Sequence, residues 1–199
     1  MPDYNVIADV SSTLQKVLTT ALAPLDPVDP PVAEISDLQG NISTNPARVT
    51  LFLFEAVEDA SAKNRPRERV TPPPGPLPAT YLRKPPMALL LRYMITPWSG
   101  DRLTDHKLIG RTLQVLYDGA ILSGVQLQGG LAGTDQALKV TLSPLTLEER
   151  ARVWYAIEKP YRLSITYEVR VVNLNAENVD TIMPVRERLL GYRGPGTSQ

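Results

Sequence analysis

The chain has 199 residues, with 21 Lys and Arg against 21 Asp and Glu, one His and no Cys. That length suits one domain, and 43% apolar with 21% charged residues is the composition of an ordinary globular core. The absence of cysteine excludes a disulfide scaffold, a thiolate-bound metal and thiol catalysis, the lone histidine excludes a multi-histidine site, and the neutral balance disfavours a sequence-independent nucleic-acid binder.

The neutrality hides an asymmetry. Residues 1–62 carry a balance of −7 and residues 63–199 a balance of +7, which reads as chance with internal pairing or, more sharply, as a polarised subunit that stacks head to tail with copies of itself. No apolar run approaches the roughly 18 residues of a membrane span. The opening MPDYNVIADV lacks the pattern of a secretory signal, so synthesis in the cytoplasm is expected.

Residues 4–22 open with a helical period on Ile7, Val10, Leu14, Val17, Leu18 and Ala21, with Asp3 as N-cap and Pro24 as stop. Residues 24–34, rich in Pro and Asp, read as a connector. Residues 47–57 are apolar on both parities and predict a strand covered on both sides. Residues 58–86 break all periodicity and read as a long, basic, Pro-rich surface loop. Residues 87–97 predict a second apolar strand.

From Asp101 to Tyr117 the spacing predicts a helix with Leu103, His106, Ile109, Leu113, Leu116 and Tyr117 on its inner stripe and Gly119 as C-cap. Residues 129–134, GGLAGT, read as a turn, and residues 136–142 as a half-exposed strand. Thr146 and Glu149 form a capping box ahead of a helix that turns Val153, Trp154 and Ile157 inward and stops at Pro160. Residues 161–172 alternate Leu163, Ile165, Tyr167, Val169 and Val171 against a wet face of Arg162, Ser164, Thr166, Glu168 and Arg170. The element order predicts an α+β domain over residues 1–172, a mixed, mostly antiparallel sheet with helices packed on it. Residues 173–199 then form a C-terminal arm.

Catalytic chemistry is not legible. The only imidazole, His106, lies on a predicted apolar stripe, and neither a nucleophile–base pair nor a metal-ligand cluster accompanies it. Gly129, Gly130 and Gly133 lack the Lys-Ser or Lys-Thr of a phosphate loop. No catalytic, cofactor-binding or metal-ligating residue is assigned.

Two pairs of segments carry a resemblance. One joins a strand ending in Pro97–Trp98 to a helix with Asp105, His106, Leu108, Gly110 and Arg111. The other joins a helix with Leu147, Glu148, Glu149 and Trp154 to a strand opening with Pro160, Tyr161, Arg162, Leu163 and Ser164. With the surrounding segments, spanning about residues 6–172, the chain resembles the tail-terminator, or cap, proteins of phage-tail-like extracellular contractile injection systems of the antifeeding-prophage and virulence-cassette type.

The resemblance implies a tail-terminator-like α+β fold and a structural, non-enzymatic role without cofactor. It implies a homohexameric ring at the end distal to the baseplate that stops tube and sheath growth and anchors the sheath. The implied partners are other copies of the chain, sheath protein and inner-tube protein, with neither nucleic acid nor membrane insertion. The alternative is another structural adaptor of the same particle, associated with tube or baseplate. Within this reading Arg65, Arg67 and Arg69 are candidate electrostatic contacts to a tube or sheath neighbour. Residues 173–190, with Val179, Ile182, Val185, Arg186 and Arg188, are candidates for strand addition to sheath.

Overall fold

The computed structural model describes residues 3–70 and 80–182. In chain order the elements are α1 (Val6–Leu22), β1 (Val32–Ile35), β2 (Arg48–Glu58), β3 (Glu68–Val70), β4 (Thr80–Arg83), β5 (Met87–Trp98), α2 (Arg102–Asp118), β6 (Ile121–Ser123), β7 (Ala137–Leu142), α3 (Leu147–Ala156), β8 (Ile165–Leu174) and β9 (Val179–Ile182). Residues 3–64 and 86–175 form one compact unit, and residues 65–70, 80–85 and 176–182 belong to another.

The first unit holds a six-stranded sheet in the order β1-β2-β5-β8-β7-β6. Its β1–β2 pair is parallel and the remaining pairs are antiparallel, which is the mixed, mostly antiparallel α+β architecture expected. The long central strands β2, β5 and β8 bend at bulges between Leu53 and Glu55 and between Leu89 and Leu91.

One face of the sheet is covered by α1 and α2. The α1 residues Val6, Val10, Leu14, Leu18 and Leu22 recur every fourth position and are buried against Val49, Leu51, Leu91, Tyr93 and Ile95. The helix starts two residues later than Asp3 suggested. Asn5 is the N-cap, and the Asp3 carboxylate instead accepts the Asn5 backbone N–H at 2.9 Å. The Tyr93 hydroxyl lies 2.8 Å from the Ser11 hydroxyl inside this core, and burial pushes its pKa up to about 12 against the opposing pull of that hydrogen bond. Asp9 clamps the turn at Gly129–Leu131 by accepting the Gly130 N–H at 3.0 Å. Gly129 has φ +59°, and a Cβ there would collide with the Asp9 carboxylate, so both chirality and space require glycine.

The opposite face is covered by α3 and the loop after β1. Leu38, Met94, Trp154 and Ile157 form a second, smaller core, flanked by Phe52, Phe54 and Trp98. This corrects the wet face assigned to β8. Ser164 and Thr166 are buried there, because Trp154 donates Nε1–H to the Ser164 hydroxyl at 3.3 Å and Thr166 donates to the Ser143 carbonyl at 2.9 Å. The α3 capping box forms as expected, with the Glu149 N–H on Thr146 Oγ1 at 3.2 Å and the Thr146 N–H on Glu149 Oε2 at 2.7 Å.

Other differences from the sequence reading have local causes. The connector at residues 24–34 ends in β1, four residues too few to show a period. The stretch read as a loop at residues 58–86 contains β3 and β4, which pair with β9 as a separate three-stranded sheet. On α2 the buried positions are Asp105, Leu108, Ile109, Thr112 and Leu116, a stripe rotated from the one expected. Leu103 and Tyr117 are exposed, and so is His106, which is therefore not a core or boundary histidine.

Candidate assembly surface

Two stretches distant in sequence meet at the end of β5. Strand β5 delivers Pro97 and Trp98, the first turn of α2 delivers Asp105, and the chain entering β8 delivers Arg162. The Arg162 guanidinium lies 4.4 Å from the Trp98 ring centroid, donates Nε–H to the Pro97 carbonyl at 2.9 Å, and pairs with the buried Asp105 carboxylate at 2.9 Å. Ser99 donates its hydroxyl to the other Asp105 oxygen at 2.8 Å, and Asp101 caps α2 by accepting the Thr104 N–H at 2.9 Å. A carboxylate this buried is tolerable because it is paired and hydrogen-bonded on both oxygens. This clasp explains the rotation of α2: the helix turns inward the face that carries Asp105, not the one that carries Leu103 and His106.

Beside the clasp lies a cleft of about 660 Å³ lined by Leu38, Ile42, Trp98, Trp154, Tyr161 and Leu163, with Arg102, Lys159 and Arg162 among the remaining lining residues.

Next along the same sheet face, a charge ladder crosses the strands. Arg92 bonds both Glu55 and Glu168, and Arg170 bonds Glu168 at 2.9 Å and reaches Asp59 at 3.5 Å. Burial alone would raise the Glu168 pKa, but the hydrogen bonds from Arg170 and Arg92 together outweigh it and hold the carboxyl below its ordinary value.

The sheet has two unlike edges. On β1, the Ala33 N–H donates to Thr19 Oγ1 at 3.0 Å and the Ala33 carbonyl accepts from Gln15 Nε2 at 3.1 Å, so α1 side chains occupy the edge groups. At the other side β6 pairs only with Ala137, Leu138 and Lys139 of β7. Past Val140, whose N–H donates to the Ala120 carbonyl, no strand lies outside β7 among the described residues. An apolar groove runs there between the end of α2 and β7, lined by Leu113, Leu116, Tyr117, Val140, Leu142 and Tyr167.

The residues singled out as candidate contacts fall in the other unit. Arg69 lies in β3, and Arg67 pairs with Asp180 of β9 at 3.1 Å, both side chains being half exposed. Arg65 precedes β3 in the same unit. Val179 and Ile182 begin and end β9, in register with Arg83 and Thr80 of β4. Val185, Arg186 and Arg188 lie outside the described residues. Among the described residues no group of three His, Cys, Asp or Glu side chains is placed to hold a metal ion, and no helix is long and apolar enough to cross a membrane.

The fold has counterparts among known proteins. Residues 9–188 match the family described as the Pvc16 N-terminal domain. The chain belongs to that family. No curated protein matches the chain in sequence. Its fold is similar to the sheath/tube terminator of the PVC extracellular contractile injection system in the extended state, with TM-score 0.58 and 18% identity over 97% of this chain. It is also similar to the tube-terminating cap of the anti-feeding prophage, with TM-score 0.56 and 16% identity over 93% of this chain. The chain spans 65% and 61% of the length of those two proteins.

The two segment pairs that carried the resemblance are the ones the clasp joins. Trp98 and Asp105 come from the first, and Arg162 with the Trp154–Ser164 bond comes from the second. Sequence reasoning missed the clasp because Arg162 is separated from Asp105 by 57 residues along the chain. The available signal was Asp105 three and four residues before the apolar pair Leu108 and Ile109, together with an Arg just ahead of a strand.

Proposed function

We propose that this member of the family is the cap of an extracellular contractile injection particle. It forms a homohexameric ring at the end distal to the baseplate, where it terminates the inner tube and the sheath. The observation that carries the reading is the fold shared with a sheath/tube terminator over 97% of the chain. The role is structural: a terminator must occupy the exposed edges of the last layer and leave none that recruits another. A ring needs a heterologous interface, and a chain of −7 and +7 segments supplies opposite charges for one.

Strand addition fits the second unit. Strand β9 ends the order β3-β4-β9, so its outer edge has no strand partner among the described residues. The arm beginning after Asn175 is the segment we assign to sheath anchoring, with Arg65, Arg67 and Arg69 as basic contacts to a neighbour. Of these, Arg67 pairs with Asp180 at 3.1 Å.

The test is assembly of sheath and tube with the full chain, with a chain ending at Asn175, and with neither, followed by electron microscopy. The full chain should give particles of uniform length capped opposite the baseplate. The shortened chain should form rings that leave the sheath unanchored. Particle length indifferent to the protein, or protein bound at the baseplate end, would overturn the cap reading. Normal anchoring by the shortened chain would overturn the arm alone.

A further inference from the structure

The cleft beside the clasp is not used by the edge pairing described above. Its walls combine two chemistries. Trp98, Tyr161, Leu38, Ile42 and Leu163 offer an apolar trough, and Tyr161 and Leu163 remain 46% and 42% exposed. Its charged lining residues are Arg102, Lys159 and Arg162, with no carboxylate among them. Arg162 spends its charge on Asp105 beneath the floor. Arg102 reaches that carboxylate only at 3.5 Å and stays 79% exposed, and Lys159 has no ion-pair partner among the described residues. The cleft therefore presents net positive charge around an aromatic trough, complementary to an acidic segment with an apolar residue.

The walls are also preorganised. Among the described residues only Leu38 and Glu158 combine a side chain beyond glycine with positive φ, at 63° and 56°. Leu38 forms one wall and is 1% exposed, so burial holds its backbone in place. Glu158 precedes Lys159, in a helix end where the Glu158 N–H bonds the Tyr155 carbonyl and the Lys159 N–H bonds the Trp154 carbonyl. Pro160 follows and stiffens the same wall. Rigid walls lower the ordering cost of binding.

We propose that this cleft docks an acidic, extended peptide segment of another protein. An aliphatic or proline side chain sits against Trp98 and Tyr161, and carboxylates meet Arg102 and Lys159. A nucleic acid is the poorer fit, because the chain as a whole is neutral and the cations form a spot, not a stripe. The inference does not rest on the cap reading and can fail or stand without it.

The chain has two tryptophans, and both Trp98 and Trp154 line the cleft, so intrinsic emission reports occupancy directly. The experiment titrates the full chain with six-residue peptides bearing a central Leu-Pro step, flanked by Asp and Glu, by Asn and Gln, or by Lys and Arg. The acidic set should bind about tenfold or more tightly than the amide set and shift the emission. Lys159→Gln and Arg102→Gln should each weaken it by about tenfold with an unchanged thermal midpoint, since both side chains lie on the rim. Equal binding of acidic and amide peptides, or binding of none, would overturn the proposal. Preferential binding of a ten-nucleotide oligothymidylate would do the same. Concentration-dependent self-association abolished by Lys159→Gln would reassign the cleft to a second copy.

Discussion

On one face of the six-stranded sheet, Leu91, Tyr93 and Ile95 meet two helices of 17 residues each. On the other, Met94 of the same strand meets one helix of 10 residues and a loop. The first face is stabilised mainly by area removed from water, which is non-directional and follows simple periodicity. The second has a small core and depends on directional contacts: the Arg162 clasp, the Trp154–Ser164 bond and the charge ladder through Arg92. Of the segments that carry the family resemblance, α3 and the chain entering β8 lie on the second face, whereas α2 packs on the first and is tied to them through Asp105 and Arg162.

The largest expected effect tests whether that smaller core matters. Trp154 is 1% exposed and anchors α3 to the sheet. Trp154→Ala should lower the unfolding free energy by about 3–5 kcal/mol. A urea midpoint displaced by under 1 kcal/mol equivalent would mean that α3 is an appendage and the first face alone stabilises the domain.

The ladder gives an intermediate effect with a pH signature. Arg92→Met leaves Glu55 and Glu168 facing each other and should cost about 1–2 kcal/mol at neutral pH, allowing for partial exposure. Because the folded state lowers the Glu168 pKa, its contribution is complete above the unfolded value of 4.5 and is lost as pH falls through the folded one. Wild type should therefore lose more stability than the variant on acidification, and the gap between their denaturation midpoints should narrow. A gap constant from neutral to about pH 3 would show that the ladder is electrostatically idle.

The smallest effect has the opposite sign. Glu158 occupies a left-handed position at the end of α3, where a Cβ is unfavourable. Glu158→Gly should raise stability by about 1 kcal/mol, read as a higher thermal midpoint. No gain would mean that the neighbouring Lys159 and Pro160 already hold the turn without strain.

Much of the fold was legible in the linear pattern. The helical period through Val10, Leu14 and Leu18, the capping box at Thr146 and Glu149, the Gly119 cap and the apolar run of β5 are local signals, because the physics that makes them lies within a few residues. Strands β1, β3, β4 and β9, each three or four residues long, were hidden because so short a strand is made by its partner. The buried side of α2 and the dry side of β8 were misread for a related reason. An Asp counts as solvent-facing in any pattern until a distant Arg neutralises it, and a Ser or Thr does so until a Trp and a carbonyl take its hydrogen bonds.

The sequence by itself thus determined which stretches form long helices and strands, and the absence of legible catalytic chemistry. The tertiary structure alone decided which polar residues go inside, which sheet edge stays open, and where the cationic aromatic cleft forms. The physical reason is reach. Helix periods, caps and apolar runs are set by neighbours along the chain, whereas a buried charge or a free edge is defined by groups brought together from across it.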